Sequence, residues 1–189
     1  MQRLSRDDVR AEFVGIAADL FAARGFAATS LDDIAAAAGY SKAAVLYHFG
    51  SKDELLVAVI DSHLDQVSEL IEKLETEPDT PTRVEDAIDA IASFALKRRP
   101  TLPLALSPAQ DVATAMARHP DLLERFGDVR ERMGRMLVGG EPSLEQSVRL
   151  VMAFSGLPAA LVELRDIPAA QLHGPICDVL SDAVHTKER

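Results

Sequence analysis

Lys42, Ala43, Leu46 and Tyr47 fall at i, i+1, i+4 and i+5, so on a helix they share one small, basic and aromatic arc. A two-turn helix with such an arc fits a major groove about 12 Å wide, where an ammonium and a phenol can reach base edges or phosphates. Leu46 cannot hydrogen-bond a base but can pack on a thymine methyl. His48 and Lys52 flank the arc. Lys52 stands at an expected helix start, where an ammonium and backbone N–H groups can share one phosphate. Taken singly, each is more often a packing or solvated side chain; their common register is what points to nucleic acid. Other chemistries find no such register. None of the glutamates has a histidine three places on, as a helical di-metal site needs, and the five histidines are scattered singly. No Cys/His metal spacing, P-loop or Gly-x-Ser-x-Gly elbow is present, so no enzyme, metal centre or cofactor is expected.

The elements that must hold the arc lie in Thr29 to Leu56. Thr29 and Ser30 are hydroxyl residues suited to capping, and Asp32 and Asp33 fall in the positive first turn of a helix over Leu31 to Ala38. Gly39 tolerates the left-handed backbone that ends it, and Ser41 caps a second helix over Lys42 to Phe49. Val45 and Phe49, four apart, turn inward against Ile34 and Ala35. The result is a helix-turn-helix. Ser51-Lys52-Asp53-Glu54 has the form of a capping box and starts another helix.

With these residues in place, Phe26, Thr29, Ser30, Ile34-Ala35, Gly39, Ser41-Lys42, Tyr47-His48-Phe49, Ser51-Lys52 and Leu55-Leu56 resemble the N-terminal DNA-binding domain of TetR-type transcriptional regulators. The match spans roughly residues 8 to 57 without a gap. It departs where the family often has a Leu-Tyr-x-x-Phe pattern: here Leu46 follows Val45 and the Tyr comes one place later. The resemblance implies that Lys42, Ala43, Leu46 and Tyr47 read a palindromic double-stranded operator, with Thr29, Ser30, Ala44, His48 and Lys52 near phosphates. It further implies a small-molecule effector, and repression as the commoner sign. A helical interaction module of the same fold that binds no operator is the alternative, supported by Leu46 and by a weak basic balance.

The net charge is −10. Residues 1–57 hold six Lys/Arg against eight Asp/Glu, and residues 58–189 hold fourteen against twenty-two, so the acidity sits mostly outside the motif. DNA binding then rests on local placement, including Arg3 and Arg6 in an arm-like lead, and depends on salt. Cys177, the one cysteine, fits a reducing cytosol and a small buried apolar role. The longest apolar run, Val151 to Val162, is broken by Ser155, Gly156 and Pro158, so a soluble cytoplasmic protein without membrane contact is expected.

The expected architecture is all-α: a three-helix DNA-binding domain over 1–50, and a larger helical effector-binding and dimerisation domain over 51–189 whose connector helix covers about 51–75. The first helix runs about Asp7 to Arg24. Beyond Pro81 the periodicity predicts helices near Thr82–Lys97, Leu102–Arg118, Pro120–Leu137, Ser143–Leu164 and Pro168–His185, with Pro108, Pro158 and Pro175 marking kinks or breaks. The last two helices carry more apolar residues than one buried stripe requires. Val148, Val151, Leu161, Leu172, Ile176, Val179 and Leu180 are therefore the candidate homodimer interface, in a C2 pairing that sets two recognition helices one DNA turn apart; a buried monomer core is the other reading. Phe94, Leu102, Met116, Phe126, Met133, Met136, Met152 and Phe154 are candidates for an effector pocket, since Met adapts to irregular volumes, although such residues far more often fill core. Arg98, Arg99 and His119 are candidates for an acidic group on a ligand, or solvated surface.

Overall fold

The computed structural model of the chain describes residues 5–77, 80–101 and 117–185. Those residues form helices and turns without a strand, the all-α arrangement that the periodicity predicts. Helix α1 (Arg6–Arg24) starts at Ser5, not at the Asp7–Asp8 pair. The Ser5 hydroxyl accepts from the Asp8 N–H at 3.0 Å while the Asp8 carboxylate accepts from the Ser5 N–H at 2.9 Å, a reciprocal cap. Arg6 is thus the first helical residue rather than part of a free arm; Arg3 lies outside the described residues.

Helix α2 (Leu31–Ala38) has the same reciprocal cap between Ser30 and Asp33, and it ends on Gly39 at φ 73°, a left-handed conformation that a β-carbon would strain. Helix α3 (Lys42–Phe49) is capped by Ser41. Helix α4 (Lys52–Thr76) is capped by the Ser51 hydroxyl on the Glu54 N–H at 3.1 Å, without the reciprocal Glu54 bond that the S-x-x-E pattern suggests. Its 25 residues span about 37 Å at the α-helical rise.

Helix α5 (Arg83–Lys97) starts two residues after Pro81, with Thr82 bonded to Asp86 at 2.9 Å. Then come α6 (Pro120–Val138), α7 (Leu144–Glu163) and α8 (Ala169–Val184). The sequence suggests kinks or breaks at Pro158 and Pro175; α7 and α8 run through them without a break. Most of the expected Leu102–Arg118 helix, with Pro108, Leu102 and Met116, lies outside the described residues.

The apolar interior falls into two main clusters. Phe13, Phe21, Ile34, Val45, Leu55 and Val59 form the first, and α6 adds Leu122 to it. The second joins Leu74 of α4, Ile88 of α5, Leu137 of α6, Leu150 of α7 and Leu180 of α8. A file of exposed ion pairs runs along α4 from α6 and the turn before it. Arg125 donates to Asp61 and to Asp65, Arg132 to Glu75 at 2.7 Å, and Arg118 to Asp53 at 3.2 Å. Arg99, at the end of α5, donates to the carbonyls of Leu161, Leu164 and Ile167 and so satisfies the C-terminal end of α7.

Candidate nucleic-acid interface

Helix α3 is oriented by its two buried residues. Val45 is fully buried and Phe49 nearly so, locked edge-on against Phe13 at 6.2 Å between ring centres. With that side fixed, Lys42, Ala43, Leu46 and Tyr47 face outward, Tyr47 at 70% exposure. Ala44 and His48 are half-buried at the edges of this arc. A large exposed phenol on a two-turn helix has no packing explanation. Among the described residues, the Arg6 guanidinium lies 5.2 Å from the ring centre and the His48 ring stands edge-on at 5.4 Å.

The cations around the arc are partly engaged. Lys42 donates to Asp32 of α2 at 2.8 Å, and both side chains are more than half exposed. A phosphate at Lys42 would have to displace that carboxylate. Arg10, one turn after Arg6 on α1, donates to the His48 carbonyl at 3.1 Å and lies 4.4 Å over the Phe49 ring. It supports the C-terminal end of α3, a role that its place in α1 gave no sign of in the sequence.

Two residues expected near phosphates point elsewhere. Thr29 is 1% exposed, and its hydroxyl faces the carbonyls of Gly25 at 2.9 Å and Leu20 at 3.3 Å. It closes the end of α1 and cannot reach a phosphate. Lys52 donates to the carbonyls of Phe26 and Thr29, both at 2.9 Å, with its ammonium 4.2 Å above the Phe26 ring. Two of its three N–H donors tie the α1–α2 turn to the start of α4. Ser30 is exposed, with its hydroxyl committed to the Asp33 cap. Hydrogen bonds from Ser5 and Ser30 hold the Asp8 and Asp33 carboxyls below the usual carboxylate range, so both stay charged.

Of the residues suggested for an effector pocket, Leu102 and Met116 lie outside the described residues, and the described ones do not converge. Met133, Met136 and Phe154 pack into the second cluster, Phe126 packs against the first, and Phe94 is half-buried with Arg98 stacked on it at 4.6 Å. Met152 is 70% exposed. The unbranched thioethers have filled gaps between helices, which the residue type alone does not distinguish from lining a cavity. A polar cavity of about 530 Å³ lies instead between α1 and α4, walled by Arg10, Asp19, Asp61, His63, Gln66 and Arg98. Of the three suggested anion-binding residues, only Arg98 lines it; Arg99 is committed to carbonyls, and His119 lies 3.5 Å from Glu54.

The suggested interface residues divide. Leu161, Leu172 and Leu180 are buried within the chain, Ile176 is half-buried, and Val148, Val151 and Val179 are exposed, joined by Leu144 and Met152. Between α7 and α8 these leave an apolar groove of about 330 Å³. Among the described residues no helix is long and apolar enough to cross a membrane.

Residues 16–59 match the family model of bacterial regulatory proteins, tetR family. The chain is 39% identical over 93 residues to the HTH-type transcriptional activator FasR of Mycolicibacterium smegmatis, covering 49% of this chain and 42% of that one. It is 36% identical over 127 residues to the HTH-type transcriptional repressor Rv3405c of Mycobacterium tuberculosis, covering 67% and 62%. The matched stretch is thus less than two thirds of either relative's length. Bacillus subtilis FadR, a transcriptional regulator solved in complex with stearoyl-CoA, superimposes with a TM-score of 0.68 at 12% identity, over 93% of this chain and 99% of that one.

Proposed function

Because the chain belongs to the tetR family of bacterial regulatory proteins, we propose that it is a cytoplasmic, homodimeric, DNA-binding transcriptional regulator whose operator affinity responds to a small molecule. One observation carries the reading: a capped two-turn helix, locked by Val45 and Phe49, presents Lys42, Ala43, Leu46 and Tyr47 outward. The arc is short enough to enter a major groove, and two copies related by C2 symmetry would read a palindrome. The exposed apolar face of α7 and α8 is where the second copy docks.

The effector acts through differential affinity: it must bind the DNA-incompetent spacing of the two recognition helices more tightly than the competent one. Helix α4 starts beside α3, and α6 is paired to it along most of its length, so a tilt of α4 relative to α6 is the natural coordinate. The acyl-thioester of the FadR neighbour supports a fold that accommodates effectors, without assigning one here. The relatives include an activator and a repressor. We take release of a repressed operator as the working sign.

The test is anisotropy of the purified protein on duplexes from its own upstream region, across a salt series. Tight, saturable binding of a dimer to a palindrome, weakening with salt, lost in Tyr47→Ala and lowered in Lys42→Ala while dimerisation persists, is the expected result. Equal, weak binding to every duplex, unchanged in both variants, would replace the regulator with a helical interaction module of the same fold.

A further inference from the structure

Outside the DNA-binding helices, α5 and α8 bring together donors that are far apart in the sequence. Asp89 and Ser93 stand one turn apart on α5, and His173 and Cys177 stand one turn apart on α8. One oxygen of Asp89, one imidazole nitrogen of His173 and the Cys177 sulfur all lie within 4.8 Å of one another. The Asp89 Oδ1 is 3.4 Å from His173 Nε2, and the Cys177 Sγ is 3.8 Å from His173 Nδ1. Ser93 Oγ is 3.0 Å from Nε2.

We propose that Asp89, His173 and Cys177 form a binding site for a divalent ion of the zinc type, one that ties α5 to α8. Thiolate, imidazole and carboxylate are the three ligand types that zinc takes, and tetrahedral bonds of about 2.0–2.3 Å put neighbouring ligand atoms roughly 3.4–3.6 Å apart. The two short distances go to different ring nitrogens; with a single nitrogen as ligand the three atoms lie within 4.8 Å of one another, and side-chain rotation by up to about an ångström closes them to bonding distance. The fourth position is left to water, since Asp89 is exposed and His173 and Cys177 are half-buried. Binding exchanges the thiol proton for the metal: the S–H bond breaks, the proton leaves to solvent, and the sulfur electron pair forms the bond to the ion. This site departs from the sequence reading, which expects no metal centre: His173 and Cys177 alone make no ligand set, and Asp89, 84 positions before His173, joins them only in the fold.

The site is independent of the DNA-binding reading, and its test does not use DNA. The full-length protein, stripped with a chelator, is titrated with Co²⁺ and then with Zn²⁺. The expected result is one ion per chain, a near-ultraviolet thiolate-to-cobalt charge-transfer band with tetrahedral visible bands, and displacement of cobalt by zinc. The charge-transfer band disappears in Cys177→Ser, and zinc affinity falls about 100-fold or more in Cys177→Ser and in His173→Gln. At a free zinc concentration about 100 times the dissociation constant, the thermal midpoint of the wild type rises by roughly 5–10 °C. Should a variant misfold by circular dichroism, the exposed Asp89→Asn and the wild-type cobalt spectrum decide. Octahedral cobalt without a thiolate band, or zinc binding unchanged in Cys177→Ser and Asp89→Asn, would show that the cluster is only a hydrogen-bonded contact between helices.

Discussion

At the scale of single residues, Lys42 and Asp32 make the sharpest pair of opposed expectations. The 2.8 Å contact is solvent-exposed and so worth no more than about 1 kcal/mol, yet a phosphate at Lys42 must replace it. Asp32→Asn should therefore raise operator affinity by roughly two- to five-fold, Lys42→Ala should lower it, and the double variant should behave as Lys42→Ala alone. Additive effects in that cycle, read by anisotropy at fixed salt, would mean that Asp32 acts as a distant charge and not through Lys42. His63 makes a second residue-scale prediction. It is 6% exposed, its Nδ1 lies 2.8 Å from the Val59 carbonyl, and burial, with Arg98 adding to it, lowers its pKa from 6.5. The folded state thus holds His63 neutral where the unfolded chain already binds a proton. Stability falls as pH drops through about 6.5 and levels off below the folded pKa, whereas Asp8 and Asp33 withdraw theirs only under more acid conditions, around and below 3.8. A thermal midpoint followed across that range should lose its limb near neutrality in His63→Leu. An unchanged limb in the variant would move the titration to another group.

At the scale of elements, the caps and the α3 orientation were legible because they depend on neighbours within four residues: Ser30 with Asp33, Ser41 with Ala44, Val45 with Phe49. The destinations of Thr29 and Lys52 were not, because each is decided by carbonyls freed at a helix end or turn. Lys52 reaches back 23 and 26 residues to find its acceptors. A cation beside a recognition helix looks the same in sequence whether it waits for phosphate or closes a turn. The part of α6 in the first core was also invisible, since amphipathic periodicity tells which face is buried and not in which cluster. That placement puts Leu122 in the core that α1 to α4 share. Leu122→Ala, at 2% exposure, should cost about 2–4 kcal/mol in urea unfolding. Arg125→Gln, which removes exposed pairs with Asp61 and Asp65, should cost under about 1 kcal/mol. The reverse order would mean that charge, not packing, seats α6 against α4.

At the scale of the whole molecule, the face of α7 and α8 has to be explained. Leu144, Val148, Val151 and Met152 form a stripe along α7, and Val179 of α8 stands beside it, at 83, 51, 43, 70 and 58% exposure. A contiguous apolar patch of this kind on an otherwise acidic chain is the surface on which the proposed homodimer rests. Gly156 and Ala160, one turn apart on the α7 side of the groove, leave room for a second helix to approach closely. Leu161, Leu172 and Leu180 are buried within the chain, so in the proposed dimer the outward residues are the ones at which an introduced charge acts on association. Val148→Glu combined with Val179→Glu should leave the helical content unchanged, because both side chains already face solvent, and should yield a monomer in sedimentation. Since DNA recognition by one copy loses the linked second half-site, affinity for a palindrome should then fall by roughly 100-fold or more, while the short exposed arc of α3 is untouched. A double variant that remains dimeric and still binds the palindrome tightly would place the second copy on a different face.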